Sequence, residues 1–181
     1  MSQTVSQAIE IRVDELSQLF NTLDPFPFHE RDLDDDAEEY IVGWARELPT
    51  NQPLRIIVHV PRPETETDLA RRLEESLQRF FAYRADIVGR DLHELFRIGW
   101  RALSIGLAVL GLCLFAGQAV TGRFGAGYLG RFVEEGLIIV GWVANWKPIE
   151  IFLYDWWPLT RRRNLYRRLA EATITVTSRE T

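Results

Sequence analysis

From Ala102 to Gly122 the chain reads "ALSIGLAVLGLCLFAGQAVTG", 21 residues without one charged side chain. As a helix this run extends roughly 31 Å, which matches a hydrocarbon core of about 30 Å. Helices of soluble proteins seldom run so far without a charge, because they usually keep one face in water. The run therefore predicts a membrane-spanning helix. In a chain of 181 residues, that leaves material for one modest domain outside the bilayer.

A second apolar segment is less regular. "FVEEGLIIVGWVANW" begins with Glu134 and Glu135, and only Gly136 to Trp146 is free of charge. Those residues reach roughly 17 Å as helix, too short to span alone. The chain's only lysine, Lys147, follows within "NWKPIEIFLYDWWPLTRRR". Two readings compete. A kinked helix from about Phe132 to Trp157 carries Lys147 and Glu150 into the inner leaflet. Alternatively the span ends near Trp146, and Pro148 opens an amphipathic segment lying along the interface. Proline has no N–H to bond the Ala144 carbonyl, so a kink or break is expected either way. We prefer the kinked helix.

Lys147 and Glu150 are three residues apart and share a helix face, which makes them a candidate intramembrane ion pair. The competing reading is structural. Lys147 snorkels toward the inner headgroups while Trp142, Trp146, Tyr154, Trp156 and Trp157 anchor the chain at the membrane interface.

The distribution of charge sets the expected orientation. Arg84, Arg90, Arg97 and Arg101 precede the first span, and Arg161, Arg162, Arg163, Arg167 and Arg168 follow the second. Only Arg123 and Arg131 lie in the glycine-rich connection "TGRFGAGYLGR". The excess of cytoplasmic arginine predicts a helical hairpin with both termini in the cytoplasm. Residues 1–50 hold twelve acids against three arginines, whereas residues 101–181 hold ten bases against six acids. The basic rear is expected to meet anionic lipid headgroups, with Arg161, Arg162, Arg163, Arg167 and Arg168 as the contacts. The N-terminal "MSQTVSQAIEIRVDE" has no basic and apolar signal pattern, so an internal segment is expected to direct insertion.

Outside the hairpin three stretches alternate as half-buried strands do. "IEIRV" puts Ile9, Ile11 and Val13 on one face; "LRIIVHV" aligns Leu54, Ile56, Val58 and Val60; "TITVT" offers Ile174 and Val176. Helical spacing links Leu16, Leu19, Phe20 and Leu23, and again Ala37, Tyr40, Ile41, Trp44, Ala45 and Leu48. A long helix starts in "PRPETETDLARRLEESLQRFF", where Thr65 and Asp68 have capping-box spacing and Leu69, Leu73, Leu77, Phe80 and Phe81 form a stripe. It either runs into the first span or bends near Gly89. The predicted class is α+β or α/β: a small three-stranded sheet with helices, in the cytoplasm and interrupted by a two-helix transmembrane hairpin. The expected segments are 1–97, 98–157 and 158–181. The last strand follows the hairpin, so its pairing with the others would make the hairpin an insertion.

Few motifs carry chemistry. "PFHERDLDDDAEE" offers His29, Glu30, Asp32, Asp34, Asp35 and Asp36 as oxygen and nitrogen donors, but the spacing fits no EF-hand loop. It reads better as a loop and an acidic helix start, with Asp34 or Asp32 as N-cap. No metal site is expected. No phosphate loop, nucleophile elbow, dinucleotide fingerprint or Cys/His cluster occurs, so neither catalytic residues nor a cofactor site are expected. Cys113, the single cysteine, reads as a buried small hydrophobe. His59 and His93 read as a strand residue and an interfacial one. No basic patch interleaved with aromatics marks a nucleic-acid surface. Ala102 and Gly106, and likewise Cys113 and Gly117, have the four-residue spacing that permits close helix approach or self-association.

With "GWVANWKPIEIFLYDWWPLTRRR" and "NTLDPFPFHERDLDDDAEEYI" together, nearly the whole chain resembles small, uncharacterised bacterial integral-membrane proteins. The resemblance implies a bacterial inner-membrane setting and no particular activity. The expected function is non-enzymatic: a cytoplasmic domain held at the bilayer for assembly or partner binding, as a homo-oligomer in contact with membrane lipids. A subunit of an oligomeric ion channel or transporter, built around Glu134, Glu135, Lys147 and Glu150, is the alternative. A lipid-active or metal-dependent enzyme using the His29–Asp36 cluster is the third.

Overall fold

A computed structural model of the chain describes residues 8–20, 32–50, 52–61, 66–124 and 127–178. Its three strands form one parallel sheet in the order β1-β2-β3. Alternation explains each strand. β1 (Ala8–Arg12) buries Ile9 and Ile11, β2 (Arg55–Val60) buries Ile56, Val58 and Val60, and β3 (Thr173–Ser178) buries Ile174. The register aligns these residues in rungs, Ile9 with Ile56 and Ile174, then Ile11 with Val58 and Val176. A slip of one residue would turn every apolar side chain to the wrong face.

Parallel neighbours need a crossover between them. Between β1 and β2 the chain makes a 3-10 turn at Leu16–Leu19, an antiparallel bridge from Phe20 to Leu33, and helix α1 (Asp35–Glu47). The helix expected over Leu16, Leu19, Phe20 and Leu23 is therefore replaced, within the described residues, by a single 3-10 turn; Leu23 lies outside them. Phe20 is extended (φ −117°, ψ 148°) and pairs with Leu33. One turn suffices to bury Leu16, Leu19 and Phe20 together, and one turn has the same spacing as the start of a helix.

α1 begins as its acidic first turn suggests, with the Asp34 carboxylate accepting from the Asp36 N–H at 3.1 Å. Its buried residues are Ile41, Val42 and Ala45. Tyr40 and Trp44, expected on the covered face, are 46% and 47% exposed. The contact stripe is narrow and centred on Ile41 and Ala45, so the two large rings flank it.

Helix α2 (Glu66–Phe124) runs for 59 residues as one continuous helical element. Its first part buries Leu73, Leu77, Phe80, Phe81, Ala85 and Val88 at helical spacing. Thr65 of the expected capping box and the side chain of Leu69 lie outside the described residues. The second helical path comprises α3 (Tyr128–Ala144), α4 (Trp146–Glu150), a π-helical turn at Ile151–Asp155, and α5 (Trp156–Ala170). Backbone helicity thus continues through Pro148, with Asn145 as a turn residue. Among the described residues two helices are long and apolar enough to cross a membrane, Ala70–Arg123 and Tyr128–Ala170.

The chain divides into two compact units, Met1–Val88 with Arg161–Thr181, and Gly89–Thr160. Because β3 pairs with β2, the second unit is an insertion in the first. In the first, Tyr166 and Leu169 of α5 and Ala172 are buried, and the Thr173 N–H bonds the Leu54 carbonyl at 3.1 Å.

Candidate functional site

Within the inserted unit, the seam between α2 and the second helical path is built from small residues. A Cβ on Gly117 would lie 3.3 Å from Glu134 Cγ, and one on Gly106 would lie 2.6 Å from Asn145 Oδ1 and 3.0 Å from the Ala144 carbonyl. Gly141 approaches Leu110 from the other side, and Gly99 meets Ile151 and Phe152. Contacts at 99, 106, 110 and 117 on α2 repeat at intervals of seven, four and seven, the spacing of a helix-packing stripe. Cys113, expected to be buried, is half-buried. The glycine spacings noted in the sequence therefore serve this hairpin seam.

Asn145 is the polar centre of the seam, and the sequence reading did not single it out. Its backbone N–H bonds the Trp142 carbonyl at 3.0 Å, three residues back, where a continuous α-helix would have used Gly141. The freed Gly141 carbonyl accepts instead from Asn145 Nδ2 at 2.9 Å, and the same amide donates to the Gly106 carbonyl at 3.0 Å. Two facing carbonyls require the NH₂ end of the amide, so its orientation is determined. The signal for this role was an uncharged polar residue in an apolar run, four residues after a glycine. Pro148 frees a second carbonyl, that of Ala144, which lies against Gly106.

Below this point the charges converge. Lys147 Nζ donates to Glu150 Oε2 at 3.1 Å and to Asp155 Oδ2 at 3.2 Å. Asp155 was not among the residues singled out. The extra residue of the π-helical turn sets it eight positions from Lys147 yet within reach. The lysine side chain is 62% exposed, so the cluster lies on the surface of this unit. Beside it the aromatic side chains pack on one another. Phe152 stacks on Phe96 and meets Trp100 edge-on, with centroids 6.1 and 5.5 Å apart. Trp156 donates its indole N–H to the Phe152 carbonyl at 2.9 Å and packs against Trp157. Trp142, Trp146, Tyr154 and Trp157 are all well exposed.

The five arginines of α5 divide by role. Arg168 donates to the carbonyls of Pro49 and Gln52 at 2.7 and 3.2 Å, closing the loop before β2. Arg162 donates to the Tyr166 hydroxyl. Arg163 is half-buried, and Arg161 and Arg167 are exposed. A second network missed by sequence joins α1, α2 and α5 inside the sheet-containing unit. Glu38 accepts from Arg84 through one oxygen and from the Tyr166 hydroxyl through the other, the latter at 2.8 Å.

Also in that unit, a groove of about 960 Å³ lies between β1 and α1. Glu10, Arg12, Asp34, Asp36, Tyr40 and Trp44 line it, and the Tyr40 hydroxyl donates to the Glu10 carbonyl at 3.2 Å. His59 lies on β2, its Nε2 3.7 Å from the Glu10 carboxylate, and His93 is exposed on α2. His29 and Glu30 lie outside the described residues, and among those described no group of three or more His, Cys, Asp or Glu could hold a metal ion. Comparison of the chain with family models, curated proteins and solved structures gives no match.

Proposed function

We propose that the chain is an integral membrane protein whose inserted unit crosses the bilayer as a hairpin and whose sheet-containing unit is a cytoplasmic domain held at the surface to bind a partner. One observation carries this reading: the hairpin is apolar on its outside. Leu107, Leu112 and Phe115 on α2, and Leu129, Phe132 and Ile139 on α3, are each more than half exposed. The most apolar windows of the two helices are only 17% and 22% buried. A core helix of a soluble protein would be largely covered; these apolar windows are covered chiefly along their small-residue seam, as helices packed in lipid are.

The dimensions agree. Eighteen residues of α2 separate the seam contacts at Gly99 and Gly117, roughly 27 Å of helix, close to one hydrocarbon thickness. The glycines that suggested self-association lie in the seam, so they support the hairpin; the homo-oligomer and the bacterial inner membrane stay part of the proposal, the latter through the family resemblance. Arg161 and Arg167 are the arginines of α5 best placed for anionic headgroups. Glu134 packs against Gly117, which favours an anchoring hairpin over a pore-lining one.

Two measurements test the reading. The protein should stay in the membrane pellet after alkaline carbonate. In a Cys113→Ala background, Tyr128→Cys should react with an impermeant maleimide from outside the cell, and Glu171→Cys only after permeabilisation. Release by carbonate, or labelling of both positions from one side, overturns it. Ion flux through reconstituted liposomes would instead support the channel alternative.

A further inference from the structure

We propose that the groove between β1 and α1 binds an extended, arginine- or lysine-bearing segment of a partner protein along the open edge of the sheet. The inference rests on the partner-binding reading above and names the chemistry of the partner.

β1 is an edge strand of the described sheet. The Val13 N–H bonds the His59 carbonyl at 3.1 Å, so odd positions of β1 turn their backbone groups toward β2. Even positions, Ala8, Glu10 and Arg12, turn theirs to the open side. The Tyr40 hydroxyl reaches the Glu10 carbonyl from that side, which confirms the direction. Among the described residues no bond occupies the backbone groups of Ala8 and Arg12 there, and an unpaired edge is a template for an added strand, which displaces the Tyr40 hydroxyl from the Glu10 carbonyl.

The walls of the groove select charge. Glu10, Asp34 and Asp36 line it, and a contiguous depression along α1 adds Glu39 and Glu47; among the described residues that line it, Arg12 is the one base. Among the described residues no ion pair neutralises Asp36, Glu39 or Glu47. Between these acids stand Tyr40 and Trp44, rings 6.2 Å apart and tilted by 58°, each about half exposed. Aromatic faces beside carboxylates hold guanidinium and ammonium groups through cation–π and ionic attraction together. An acidic wall, paired rings and an open strand edge share one occupant: an extended chain with alternate cationic side chains. A second copy of this protein fits poorly, because its own densest basic run, Arg161–Arg168, is helical.

The probe is a fluorescein-labelled hexapeptide of alternating arginine and valine, measured by anisotropy against the full chain in detergent. We expect saturable binding, weakened about tenfold by Trp44→Ala and again by Asp36→Asn with Glu39→Gln. Methylating alternate backbone nitrogens of the peptide should also weaken it. Glu75→Gln, an exposed acid elsewhere on α2, should leave it unchanged. Equal binding by a control hexapeptide with glutamate in place of arginine, by the methylated peptide or by the groove variants overturns the proposal. Because binding is read in detergent, it fails or holds independently of membrane insertion: a carbonate-resistant protein that ignores the peptide sinks this inference alone, and a carbonate-released protein that binds it sinks only the membrane reading.

Discussion

Asn145 donates its side-chain amide to the carbonyl of Gly106 on the opposing helix while repairing the backbone bond its own helix has lost at Gly141. One residue thus stitches the hairpin and caps a helix interruption. Polar bonds between helices in lipid contribute about 1 kcal/mol or less on average, so Asn145→Leu should destabilise the hairpin by roughly that amount plus the cost of an orphaned carbonyl. Gly106→Val should cost a comparable amount, about 1–3 kcal/mol of overpacking, because even a Cβ there would lie 2.6 Å from Asn145 and 3.0 Å from a backbone oxygen. Thermal unfolding in detergent should place both Gly106→Val and Asn145→Leu below the parent. A Gly106→Val protein as stable as the parent would contradict the seam.

In the sheet-containing unit, Tyr166 and Arg84 share the Glu38 carboxylate. Tyr166→Phe keeps the ring and removes one donor, leaving a carboxylate oxygen unbonded at a cost of about 1–2 kcal/mol. Glu38→Ala removes the acceptor for both partners and leaves the Arg84 charge unpaired in a half-buried position, which should cost more. Glu38→Gln should fall between them. A Tyr166→Phe protein that unfolds at the parent temperature would show that the hydroxyl contributes nothing.

The strands were legible because a period of two is hard to produce otherwise: Ile9, Ile11, Ile56, Val58 and Ile174 alternate and are buried. The apolar stripe of α2 was equally plain at Leu73, Leu77, Phe80 and Phe81. Short-range spacing failed where one turn satisfied it, at Leu16–Phe20, and where burial was narrow, at Tyr40 and Trp44. The polar centres were hidden for another reason. Glu38, Arg84 and Tyr166 meet only through tertiary structure, and Asp155 reaches Lys147 only because a π-helical turn shifts its phase. Asn145 shows its purpose only beside a glycine 39 residues away.

Since β3 follows the inserted unit yet pairs with β2 across six positions, the sheet needs the C-terminal end of the chain. A protein ending at Ala170 would lose β3, uncover Ile56 and Val58, and leave β2 with an unpaired edge. We expect that truncation to make the sheet-containing unit protease-sensitive while the hairpin still resists carbonate extraction. If residues 8–88 stay protease-resistant without β3, the insertion architecture is wrong.

Under the proposed membrane arrangement, the seam also sets the depth of Lys147. Asn145 faces Gly106, about 6 Å inside the start of the apolar run at Ala102, whereas Ile151 faces Gly99, beyond that start. With the inserted unit across the bilayer as proposed, Lys147 stands at the inner boundary, and its Nζ extends to Glu150 and Asp155 on the C-terminal side, the direction in which a snorkelling lysine reaches water. Single cysteines in a Cys113→Ala background read this boundary on inside-out vesicles. Val143→Cys should resist an impermeant maleimide, Ile149→Cys should react slowly, and Leu153→Cys should react fast. Lys147→Leu removes the charge that holds the boundary, so it should slow Ile149→Cys further while sparing Leu153→Cys. A Leu153→Cys protein as unreactive as Val143→Cys would place the whole cluster inside the bilayer and make the ion pair truly intramembrane.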